Sequence, residues 1–137
     1  MLLFESARPE DRRMLEALLW ENGMEYADPI EAFMLARQGD DIVGCARIED
    51  YPDVAMVRPL VVAKAFRRKG VGQLLLEQIL PTGKPIVIVA RGESAKFYSA
   101  FGFSFTSWQV IPVHQTNECT SCPDRAECHP QPMIHRR

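Results

Sequence analysis

Leu2 to Phe4 is a short apolar run suited to a first strand, and Arg8-Pro9-Glu10-Asp11 places a proline and two acids where a helix would open. Met14, Leu15, Leu18 and Leu19 then recur at helical spacing, and Asn22-Gly23 supplies a stop. The pattern predicts an opening strand followed by an amphipathic helix. It breaks around Ala27-Asp28-Pro29. Phe33 to Gln38 reads as a strand, Gly39-Asp40-Asp41 as a turn and Ile42 to Ile48 as the returning strand of a hairpin. After Tyr51-Pro52-Asp53, Val54 to Val62 is apolar at nearly every position, as in a central strand covered on both faces.

Val62 leads through Ala63-Lys64-Ala65-Phe66 into Arg67 to Gly72, and Leu74, Leu75, Leu76, Ile79 and Leu80 form a helix that Pro81-Thr82-Gly83 ends. Pro85 to Ala90 reads as another buried strand, Glu93 to Ala100 as a short helix, and Phe103 to Val113 as one or two closing strands. The order is mixed α/β with a strand-loop-helix-strand unit at its centre. From Pro112 onward prolines, histidines and cysteines follow without periodicity, so this stretch is expected to be an appendage outside the core. The expected division is a domain over 1–113 and a Cys/His-rich tail over 114–137.

A length of 137 residues, 47% of them hydrophobic, is that of one domain with one core. The formal charge of −2 gives no broad footprint for a nucleic acid or an anionic membrane, so the expected partner is a small molecule. Met1 to Glu10 lacks the apolar region of a secretory signal and no later run reaches membrane-spanning length, so a cytoplasmic location is expected. Cys45 stands alone, whereas Cys119, Cys122 and Cys128 cluster, and in a reducing compartment such a cluster suggests metal before disulfides.

Arg67, Arg68 and Lys69 precede the helix that begins at Gly70, although the helix dipole makes its N-terminus the wrong end for positive charge. A bound polyphosphate resolves the conflict: first-turn amides point at its oxygens, and Gly70 and Gly72 let the backbone come close. A solvated basic turn is the alternative reading of the same residues. The motif has company, however. Leu60-Val61-Val62 before the loop, Arg67-x-x-Gly70-x-Gly72 within it, the leucine-rich helix after it and Phe97-Tyr98-x-x-x-Gly102-Phe103 further on together resemble the GCN5-related N-acetyltransferases (GNAT), here a small bacterial-type member with a Cys-rich C-terminal tail.

The resemblance implies a mixed, mostly antiparallel sheet flanked by helices and splayed between the strands Val54–Val62 and Pro85–Ala90. It also implies acetyl coenzyme A, with the pyrophosphate on Arg67, Arg68, Lys69, Gly70, Val71, Gly72 and Gln73, the pantetheine arm pairing with the backbone of Leu60, Val61 and Val62, and Tyr98 beside the thioester. Arg91, also expected to touch the cofactor, stands where many members carry an asparagine, and Ser94 where alanine is usual. The implied reaction is direct attack of an amine on the thioester. Acetyl transfer needs a neutral amine, support for a developing oxyanion and a proton for the departing thiolate. Tyr98 can supply that proton, or be only a core aromatic. The Val62 amide is the expected oxyanion contact and Glu49 the expected base, with Asp50, Glu93, His114 or a bound water as alternatives.

The family places the acceptor beside Glu21 to Pro29 and Trp108 to His114, where Arg47 and Arg58 could meet an acceptor carboxylate or serve the fold. A small amine or amino acid is the first expected acceptor. A protein lysine or N-terminus, or a sensor that binds acetyl coenzyme A without catalysis, are the alternatives. Cys119, Cys122 and Cys128 with His114 are the expected ligands of a structural zinc, His129 and His135 being alternative fourth ligands; a Cys119–Cys122 disulfide, an iron-sulfur centre with an outside ligand, or three spare thiols are the alternative fates. Trp108 and the closing strand offer an edge through which two copies could pair as a homodimer.

Overall fold

The computed structural model describes residues 1–80 and 83–136. The expected helix stop at Pro81-Thr82, and Arg137 at the chain end, lie outside the described residues. Seven strands form a mostly antiparallel sheet in the order β1-β2-β3-β4-β5-β7-β6: β1 (Leu3–Ser6), β2 (Phe33–Gln38), β3 (Asp41–Asp50), β4 (Ala55–Val62), β5 (Ile86–Ala90), β6 (Ser104–Phe105) and β7 (Gln131–His135). The helices are α1 (Arg12–Glu21), α2 (Val71–Ile79), α3 (Ala95–Ala100), α4 (Val113–Ser121) and α5 (Arg125–Cys128). Two compact units emerge, residues 1–48 with 57–80, and residues 49–56 with 81–137.

In the first unit β1, β2 and β3 pair antiparallel, and alternation along them serves two cores. Phe33, Leu35, Ile42 and Cys45 pack with Leu15, Leu18 and Leu19 of α1. Ala36, Val43 and Ala46 pack with Val71 and Leu75 of α2. The strands are therefore covered on both faces, as their apolar density requires. Alternation slips once. Ala36 pairs with Gly44 and Arg37 with Ile42, so Val43 is an extra residue, a bulge. Val43 and Gly44 consequently both face α2, and Gly44 leaves no space there: a Cβ would lie 3.0 Å from Leu75 Cδ1 and 3.2 Å from the Val61 carbonyl. The bulge also frees the Val43 carbonyl to accept the Ala63 N–H at 2.8 Å, which fixes the chain as it leaves β4.

In the second unit the parallel ladder between β4 and β5 comprises Ala55–Ile86 and Met56–Val87. The expected closing strands over Phe103–Val113 are corrected. Only Ser104–Phe105 is strand; Ser107 then accepts the Gln109 N–H at 3.1 Å and starts a 3-10 turn at Trp108–Val110, from which Trp108, Val110 and Ile111 pack on Met56, Val87 and Ile134. Trp108 thus belongs to a turn, and not to a strand that could offer an edge. The expectation that everything after Pro112 stays outside the core is corrected as well. β7 pairs antiparallel with both β5 and β6, and Met133 is fully buried.

Candidate active site

The basic loop joins β4 to α2. After the 3-10 turn Lys64–Phe66, Arg68 takes φ 63° and Gly70 φ 84°, both left-handed. The turn at Gly70 lets α2 begin with no side-chain cap, and the first intrahelical bond shown there runs from the Leu74 N–H to the Gly70 carbonyl at 3.0 Å. The amides of Val71, Gly72 and Gln73 therefore have no intrahelical acceptor. A Cβ on Gly70 would meet nothing within 4 Å, so the mouth of this cradle is open.

The three cations have different tasks. Arg67 turns back: its Nε donates to the Val62 carbonyl at 3.1 Å and its Nη2 to Asn22 Oδ1. Asn22 Nδ2 in turn donates to the Leu18 carbonyl at 2.9 Å, so Arg67 ties the loop to the end of α1. Lys69 Nζ lies 5.6 Å from the centre of the Phe66 ring. Arg68 is exposed. Leu60, Val61 and Val62 end β4 immediately before this loop, with Val61 buried in the α1 core and Leu60 and Val62 packed on the α2 side.

Tyr98 sits on α3 in the second unit and is only 6% exposed. Phe97 and Phe103 present edge-on contacts at ring distances of 5.0 and 5.5 Å. Burial pushes the phenol pKa far above its ordinary value. Like any phenol it is protonated at neutral pH, so the hydroxyl can act as a hydrogen-bond donor. Arg91 is exposed, and its carbonyl accepts the Ser94 N–H that opens the turn into α3.

Among the carboxylates, Glu49 accepts from the Tyr51 hydroxyl at 3.2 Å. Asp50 is held by Lys84, whose Nζ lies 2.5 Å from its Oδ1. Glu93 is exposed in the turn before α3, and His114 is exposed in the first turn of α4. Arg47 donates to the Asp28 carbonyl at 3.3 Å and the Arg58 carbonyl at 3.4 Å, with its guanidinium 5.9 Å from the Phe33 ring centre. It braces the chain at Asp28 from below. Next to that segment, Glu16, Ala17, Trp20, Met24, Glu25 and Tyr26 line a cavity of about 390 Å³.

The expected zinc set is not assembled. Among the described residues no group of three or more histidine, cysteine or acidic side chains is arranged to hold a metal ion. His114 and Cys119 are five residues apart in α4, which at about 3.6 residues per turn puts them on different sides of the helix. Also among the described residues, no helix is long and apolar enough to cross a membrane. Two contributors escape the sequence pattern: the Val43 carbonyl, exposed by a bulge that no composition marks, and Asn22, whose Asn-Gly context signals only a helix stop.

The model of the acetyltransferase (GNAT) domain matches residues 29–105, which include β2 to β5, the basic loop, α2 and Tyr98. The chain is a GNAT-family N-acetyltransferase. An uncharacterized N-acetyltransferase of Chlorobaculum tepidum is 30% identical over 119 residues, 83% of this GNAT chain and 74% of that protein. N-acetylglutamate synthase of Neisseria gonorrhoeae, solved with coenzyme A and N-acetyl-glutamate, shares the fold at TM-score 0.80 and 17% identity over 99% of the chain. This GNAT chain spans 35% of that synthase. Naa50 of Arabidopsis thaliana, solved with a bisubstrate analogue, matches at TM-score 0.70 and 20% identity over 99% of this chain and 98% of its own.

Proposed function

We propose that this GNAT chain transfers the acetyl group of acetyl coenzyme A to the amine of a small molecule, an amino acid first among them. The observation that carries the cofactor half is the uncapped start of α2, where the amides of Val71, Gly72 and Gln73 and the left-handed Arg68 and Gly70 form an open cradle for a pyrophosphate. Arg68 and Lys69 add charge. Arg67 holds the loop in shape from behind, and Leu60 to Val62 present backbone for the pantetheine arm. Acetyl coenzyme A supplies the activated acyl group. Tyr98 gives its proton to the departing sulfur, a role open to a phenol, which is protonated at neutral pH. The Val62 amide supports the oxyanion. Glu49, on which the Tyr51 hydroxyl already donates, takes the amine proton directly or through water.

An amino-acid acceptor is supported by the gonococcal synthase, whose bound product is N-acetyl-glutamate. The likeness to Naa50, bound to an analogue that joins coenzyme A to a peptide, makes a protein N-terminus the second reading. Thiol release from acetyl coenzyme A across amino acids, simple amines and peptides with free N-termini separates the two. Turnover with an amino acid is expected. Turnover with peptides alone replaces the first reading by the second, and acetyl coenzyme A binding without turnover on any acceptor leaves the sensor.

A further inference from the structure

Cys119, Cys122 and Cys128 are free thiols outside the residues assigned to acetyl transfer. Cys119 lies in the last turn of α4, and the Cys122 N–H donates to its carbonyl at 3.3 Å. Residues so linked have Cα atoms within about 7 Å, which overlaps the roughly 4.4–6.8 Å that a disulfide spans. Cys122 is exposed, so an oxidant can reach it.

The pair is connected to the rest of its unit through a short chain of contacts. The Cys122 carbonyl accepts the Arg125 N–H at 3.2 Å, the first residue of α5. α5 ends at Cys128, and His129 follows in the left-handed conformation at φ 48°. This turn lies on Gly92 without slack: a Cβ there would be 3.0 Å from His129 Cβ and 3.2 Å from its carbonyl oxygen. Arg91 is the next residue. Burial pushes the Cys128 thiol up, the Arg91 guanidinium acts against it, and Cys119, Cys122 and Glu93 add to the rise, so each of these four groups lies within electrostatic reach of Cys128.

We propose that Cys119 and Cys122 form a thiol–disulfide site, oxidised by peroxide or by a low-molecular-weight disulfide, and that closing the bond shifts α5 on Gly92 and weakens acetyl coenzyme A binding at Arg91. With hydrogen peroxide the two sulfurs lose two protons and two electrons and join; the O–O bond breaks and two waters leave. With a low-molecular-weight disulfide, two thiols leave instead. The coupling half rests on the cofactor contact that the family resemblance implies for Arg91, and the bond itself does not.

The full chain, freed of metal by chelator and treated with hydrogen peroxide or oxidised glutathione, is digested with trypsin. Cys119 and Cys122 share the fragment 97–125, whereas Cys128 lies beyond the cut at Arg125. The expected result is that fragment two hydrogens lighter, reversed by reductant and absent in Cys122→Ser. Intact thiols, or fragments 97–125 and 126–136 joined through Cys128, overturn the proposal. Calorimetry on the same samples is expected to show acetyl coenzyme A bound about fivefold or more weakly after oxidation, with Cys122→Ser unaffected. A bond that forms without changing affinity overturns the coupling. Absence of binding in reduced and oxidised protein alike would instead count against the cofactor cradle, while the mapped bond would stand.

Discussion

Tyr98 and Arg68 carry opposite kinds of information about their surroundings. Tyr98 is ordinary in sequence, an aromatic among Phe97, Phe101 and Phe103, and only the folded chain shows it buried against Phe97 and Phe103. Tyr98→Phe keeps the ring contacts and removes the proton. Its kcat is expected to fall about 100-fold with acetyl coenzyme A affinity unchanged, measured by steady-state thiol release and calorimetry. A lower Tm at unaltered kcat would make Tyr98 a packing residue. Arg68 is a β-carbon-bearing residue held at φ 63°, which costs about 1 kcal/mol or more in backbone energy. Arg68→Gly is expected to unfold at higher denaturant than Arg68→Ala by about 1 kcal/mol. Both variants should bind acetyl coenzyme A more weakly than the parent, by an amount that shrinks as salt rises. The three consecutive cations are legible in the chain, whereas Arg67's inward turn to Val62 and Asn22 depends on where α1 ends and could not be seen there.

The opening of α1 depends on an ion cluster that joins three elements. Asp11 accepts the Arg8 N–H at 2.8 Å, and its Oδ2 forms an ion pair with Arg37 Nη2 at 2.6 Å. Arg37 Nε also reaches Glu5 at 2.5 Å. Asp11 is 6% exposed, and the neighbouring Arg37, with the Arg8 amide, holds its carboxyl below the usual carboxylate range despite burial. A depressed folded pKa contributes stability above the unfolded value of about 3.9, and that contribution is lost as pH falls through the folded value. Denaturant unfolding from pH 6 to pH 2 should therefore show a steeper acid loss in the parent than in Asp11→Asn. At pH 7 Asp11→Ala is expected to cost about 3 kcal/mol, because it leaves Arg37 buried beside one fewer acid. Periodicity revealed α1, α2 and the β2–β3 hairpin because each has an apolar stripe of the right period. The bulge at Val43 was invisible: it moves Val43 and Gly44 to one side, and only the partner strand and α2 make that count.

β7 decides what the second unit is. It lies between β5 and β6: all five of its residues pair with β5, and Met133 and Ile134 pair with β6 as well. Truncation after His129 is expected to abolish cooperative thermal unfolding, because Ile86 to Ala90 would lose their antiparallel partner and Ile134 would leave the core with Met56, Val87 and Ile111. Retention of a sharp transition by circular dichroism would mean that the chain closes without β7. In sequence, Pro-Met-Ile amid prolines, cysteines and histidines is too short for periodicity to register, and a proline argues against an interior strand. The family resemblance and the basic loop were legible along the chain because each is a local pattern of residue types. The place of β7, the bulge beneath α2, the separation of His114 from the cysteines and the contact of His129 on Gly92 came only from the folded chain. They depend on pairing and packing between segments far apart in sequence, and no spacing within a segment encodes those.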